Sequence, residues 1–196
     1  MLDFNNSKMP PPGLFRQTGV SLIEVLISIV IASIGLLALA GVNASSIRYT
    51  KMSQYRSTAA LLANDIGERM RANVAGGVNY ALTITFTTQA TAPSVPTTRC
   101  IYHLTDNSNP FLINCLAAQM AADDMYYWRN RIRAQLPEGS AYIVFQNAQN
   151  AADVWVAWRD PSVTSDDLDA TATECPPALG ASTGSSIRCS YFRFNL

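Results

Sequence analysis

Residues 25–42, VLISIVIASIGLLALAGV, carry no charged side chain, and a single carboxylate, Glu24, stands at the entrance to this run. No other feature restricts the folding choices of the chain as much. The run is 18 residues long, and at ~1.5 Å rise per residue it reaches roughly 27 Å as a helix, close to the ~30 Å of bilayer hydrocarbon. An ionisable group at the edge of hydrocarbon is expensive, so Glu24 is a functional candidate whose partner is missing. Lys8 and Arg16 precede the run and no charge follows it until Arg48. The positive-inside rule then puts the amino terminus in the cytoplasm and everything after about residue 43 beyond the membrane. A cleaved secretory signal is the competing reading, and Ala38-Leu39-Ala40 offers a small-residue site for it. Its apolar region is typically shorter, and it leaves Glu24 unexplained.

The helix is predicted to continue past the membrane. No proline occurs in residues 43–73, and Tyr55, Ala59, Leu62, Ile66 and Met70 recur on one helical face. Arg48, Lys51, Arg56, Glu68 and Arg71 fall largely off that face. Asn73 with Gly76-Gly77 supplies the stop, glycine being able to take the left-handed conformation that ends helices. A helix over residues 20–73 would be roughly 80 Å long. No globular core is that deep, so its first half must be buried elsewhere. Gly35 and Gly41 weaken the helix by about 1 kcal/mol each relative to alanine in water, and either let helices approach closely or simply reflect the frequency of glycine in membrane helices.

The remainder reads as α+β. Residues 80–88, YALTITFTT, alternate Tyr80, Leu82, Ile84 and Phe86 with alanine and threonine, which predicts a half-buried strand. Residues 90–110, rich in Thr, Pro, Ser and Asn, predict a loop. Residues 116–136 predict a second helix, with Ala121, Met125, Trp128, Ile132 and Leu136 on one face and Pro137-Glu138-Gly139 ending it. Residues 141–146 and 153–159 predict an antiparallel hairpin, 160–174 a polar, acidic loop, and 190–195 a closing strand. The expected fold is a long amino-terminal helix packed by its carboxyl half on a small antiparallel sheet.

The four cysteines, Cys100, Cys115, Cys175 and Cys189, all follow the membrane segment, as an oxidising compartment allows. Three connectivities are possible. Cys100–Cys115 and Cys175–Cys189 is favoured, because each pair brackets a proline- or glycine-bearing loop poor in apolar residues. Closing such loops stabilises by ~3 kcal/mol each in the chain-entropy account. No C-x-x-C pair occurs and His103 is the only histidine, so neither a zinc site nor a histidine-based catalytic site is expected. Asp160, Asp166, Asp167 and Asp169 lack EF-hand spacing and read as a solvated acidic loop. Trp128, Trp155 and Trp158 read as packing residues, and Asp123-Asp124 as the exposed face of a helix. With 14 basic and 14 acidic residues, the chain has no field for nucleic acid. No enzyme activity, cofactor or metal is expected.

The segment RQTGVSLIE, residues 16–24, resembles the class III signal of type IV prepilins: a basic leader, glycine, a hydrophobic residue and a glutamate shortly after. Val20 stands where that family usually has phenylalanine. The resemblance implies cleavage by a prepilin peptidase between Gly19 and Val20, N-methylation of Val20, and pairing of the new amino terminus with Glu24 of an adjoining subunit. The segments GVSLIEVLISIVIASIGLLALAG, AALLANDIGERMRAN and CLAAQMAADDMYYWRNRIRAQLP resemble the PilV group of minor pilins. That likeness implies the type IV pilin fold, divided as leader 1–19, hydrophobic half-helix 20–42, amphipathic half-helix 43–75 and periplasmic head 76–196. It also implies a low-abundance subunit that supports pilus assembly or priming, adhesion and twitching motility. Its partners would be other minor pilins, the major pilin and the prepilin peptidase, with the inner membrane holding it before assembly. A minor pseudopilin of a type II secretion system shares these features. A membrane-tethered periplasmic protein of other function is the third reading.

Overall fold

The computed structural model describes residue 19 and residues 21–100, 115–161, 174–181 and 186–196. The leader residues 1–18, Val20, His103, Asp166, Asp167 and Asp169 lie outside these. The chain forms two compact units, Met1–Ser46 and Ile47–Leu196. Helix α1, Leu22–Ala72, contributes to both.

Within the first unit the apolar side chains of α1 stand in the open. Leu22, Leu26, Ile31, Leu36 and Leu37 are all exposed. The helix is long and apolar enough to cross a membrane.

In the second unit the same helix has one buried face. Ala59, Leu62, Ala63, Ile66, Gly67 and Met70 are buried, an i, i+3, i+4 stripe that meets the sheet and a second helix, α2, Ala117–Gln135. Three strands, β1 Ser140–Gln146, β2 Ala151–Arg159 and β3 Ile187–Asn195, form an antiparallel sheet in the order β1-β2-β3. Ile143 pairs with Val154 and Val154 with Phe192. Alternation sorts the strand residues between two clusters. Ala141, Ile143, Val154, Val156, Trp158 and Phe194 join Leu62, Ile66, Met70, Met125, Trp128 and Ile132 in the main core. Tyr142, Ala157, Ile187 and Cys189 pack with Phe86, Cys175 and Leu179 in a smaller one. This is an α+β arrangement, a long amino-terminal helix on a small three-stranded antiparallel sheet, consistent with the type IV pilin fold.

Two local expectations are corrected. The strand expected at 80–88 is a single bridge, Leu82 to Ile143, with N–H to O distances of 3.0 and 2.8 Å. Beyond it the threonines bend the chain: Thr85 Oγ1 accepts the Thr88 N–H at 3.3 Å, and a 3-10 turn follows over Thr87–Ala90. Gln89 then inserts its side-chain amide where a further strand residue would have paired. It donates to Ala141 O at 2.7 Å and accepts from Ala141 N–H at 3.1 Å. Period-2 sequence therefore meets β1 with one backbone pair and one side chain. The glycine stop after α1 also works differently from expectation. Gly77 has φ 3° and ψ −94°, outside the left-handed region, within a 3-10 segment Val74–Tyr80. A Cβ there would lie 2.9 Å from the Phe145 ring, so the position needs glycine for close approach.

Candidate functional site

In the first unit, Glu24 lies in the opening turn of α1, where a carboxylate is favoured by the positive end of the helix dipole. Its N–H donates to Ser21 O at 3.0 Å, and Ser28 Oγ donates to Glu24 O at 2.7 Å, so the turn is closed by its own polar residues. The side chain is exposed and borders an open crevice of about 410 Å³ shared with Val25, Ser28, Ile29 and Ala32. Among the described residues no cation pairs with it. An acid thus stands beside an apolar crevice in the opening turn of an exposed apolar helix. Gly19 precedes it in open surroundings.

The second unit holds a polar network that the sequence reading missed. Asp123 and Asp124 are buried, not exposed. Asp124 accepts from Arg69 Nη1 at 2.7 Å and from the Tyr80 hydroxyl at 2.7 Å, while Arg69 Nε also donates to Asp65 at 3.2 Å. Asn73 Nδ2 adds bonds to the Tyr80 oxygen at 3.1 Å and to Ala117 O at 2.8 Å. Burial alone would lower the Arg69 pKa, but Asp124 and Asp65 hold it above its ordinary value. Burial, with the hydrogen bond to Asp124, pushes the Tyr80 phenol well up. Asp123 accepts from Arg99 Nε at 3.2 Å and from the Cys100 N–H at 3.0 Å. Arg99 in turn lies 4.8 Å from the Tyr127 ring centre. Both acids therefore face inward because each has a charged donor waiting. The only sequence signal was Asp65 and Arg69 at i, i+4.

The four cysteines form two disulfides, Cys100–Cys115 and Cys175–Cys189, across 15 and 14 residues. Asp160, assigned above to a solvated loop, is fully buried, and its N–H donates to Ser186 O at 2.8 Å. Trp128 and Trp158 are fully buried, with Trp128 Nε1 donating to Leu62 O at 2.7 Å. Trp155 stacks 4.9 Å from Tyr191, whose hydroxyl bonds Asp153 at 2.7 Å. No cluster of metal-ligating side chains occurs among the described residues.

An exposed apolar helix with an acid at its mouth is joined in sequence to a small α+β head. Residues 14–40 match the prokaryotic N-terminal methylation motif, and residues 42–126 match the family described as Type IV pilin Tt1218. No curated protein and no solved structure matches the chain. Over these two segments the chain is similar to type IV pilins and their prepilin signal.

Proposed function

We propose that the chain is a minor pilin of the PilV type, supporting assembly or priming of a type IV pilus and, through it, adhesion or twitching motility. The observation that carries this reading is the methylation motif over residues 14–40, lying across Gly19, Val20 and Glu24 and running into a helix with no cover of its own. In this reading the amino terminus is cytoplasmic, residues 20–42 span the inner membrane, 43–75 form the amphipathic half-helix and 76–196 form the periplasmic head. A prepilin peptidase cuts after Gly19. The freed amine of Val20, once methylated, stays cationic and pairs with Glu24 of the next subunit. That pairing removes the penalty of an isolated charge in an apolar bundle and sets the axial stagger between protomers.

The test compares a deletion strain with its parent. Loss of surface pili and of twitching, with exoprotein secretion intact, is the expected result. Intact pili with failed secretion would instead assign the chain to a type II secretion system.

A further inference from the structure

Helix α2 carries Arg129 and Arg133 one turn apart, a like-charge spacing that weakens a helix unless something else uses it. Arg133 is committed within the chain: it donates to Gln89 O and, at 2.9 Å, to Ala90 O, holding the 3-10 turn. Arg129 is half-buried and has no partner among the described residues. Its neighbours differ, since Arg69, Arg99, Arg131 and Arg159 meet Asp124, Asp123, Asp65 and Glu138 respectively. Burial and then the charge of Arg133 push the Arg129 pKa down. A second orphan shares the crevice. Ser140, at the start of β1, is 4% exposed and its Oγ has no hydrogen-bond partner, although buried hydroxyls are normally satisfied.

We propose that Arg129, with Arg133 and Ser140 beside it, is the docking point for a carboxylate side chain of a neighbouring subunit in the filament. This rests on the pilin reading. The crevice between Arg129, Arg133 and Ser140 is closed to small molecules. Its walls stand too close to seat a water. The carboxylate therefore pairs with the planar guanidinium of Arg129 from the open side.

The full chain in detergent micelles is melted in sodium acetate and in sodium chloride at equal ionic strength. Acetate should raise the midpoint of the natural sequence more than that of Arg129→Gln, and Arg129→Gln in chloride should melt no lower than the natural sequence. Equal acetate responses overturn the proposal. In cells, Arg129→Gln should reduce recovery in sheared filaments roughly tenfold with normal prepilin processing, and Arg129→Lys should restore part of it. A normal filament signal from the natural chain and an undiminished one from Arg129→Gln overturn the docking point alone. Absence of the natural chain from filaments overturns the pilin reading together with the neighbour it supplies, leaving the acetate comparison to judge the anion site separately.

Discussion

Arg69 Nη1 and Asp124 Oδ1 lie 2.7 Å apart, tying α1 to α2 through a pair whose acid is nearly buried and whose base keeps 22% of its side chain exposed. The acid also receives the Tyr80 hydroxyl, so three elements converge on one carboxylate. Removing one member of such a pair strands the others, and the penalty exceeds anything the intact pair contributes.

Asp124→Ala is therefore expected to destabilise the head by about 3 kcal/mol, softened because Arg69 retains Asp65. Thermal melting should show a fall of roughly 6–12 °C for a chain of this size. Glu68→Ala, which breaks only the exposed pair with Arg71, should change stability by under about 1 kcal/mol.

Alkaline stability should depend on Tyr80. The folded phenol titrates above its ordinary 10.0, so the neutral form is the one the fold prefers. Its contribution is complete below about pH 10 and is lost as pH rises from there toward the folded value. Tyr80→Phe should lower stability at neutral pH by about 1 kcal/mol, through the lost hydrogen bond, and flatten the decline above pH 10. Melting curves of both proteins across that range decide it; parallel declines would show that Tyr80 is not the titrating group.

Gly67 sits where α1 meets β3, and a Cβ there would lie 2.8 Å from two carbons of the Phe194 ring. Gly67→Val should destabilise by about 1–3 kcal/mol through overpacking. Phe194→Leu in the same chain should recover part of the loss, so a double-mutant cycle should show coupling between the sites. Strict additivity would contradict the contact.

Reduction of the Cys175–Cys189 bridge, which closes across 14 residues, should lower stability by about 3 kcal/mol. The double variant Cys175→Ser, Cys189→Ser should melt like the reduced protein and gain no further sensitivity to reductant at that bridge.

The elements that were legible in the sequence had either a sustained helical stripe or a compact apolar run. Tyr55, Ala59, Leu62, Ile66 and Met70 mark the packed face of α1, and the short apolar, aromatic segments around Ile143 and Val154 mark the hairpin. Residues 80–88 failed because alternation records which side chains are half-buried, not whether the backbone has a neighbour for its whole length. The side chain of Gln89 took the place of strand pairing, and no local pattern announces that. Asp123 and Asp124 failed for a related reason. A charged doublet on a helix reads as solvated unless one knows that Arg69 and Arg99 arrive from 55 and 24 residues away. Glu24 draws notice in the sequence because its oddity is local: an acid abutting eighteen uncharged residues needs no tertiary information to stand out.

Glu24→Val should be cut by the prepilin peptidase as readily as the natural sequence but fail to enter filaments efficiently. Immunoblotting of whole cells against sheared filaments separates the two steps. Wild-type incorporation of the variant would remove the electrostatic pairing from the account.

The central claim is that cleavage creates, at Val20, the cation that Glu24 of an adjoining protomer receives. Mass spectrometry of this chain recovered from sheared surface filaments tests it most directly. The account predicts a mature polypeptide beginning at Val20 and bearing one amino-terminal methyl group. A chain that keeps residues 1–19, or that begins anywhere else, contradicts it.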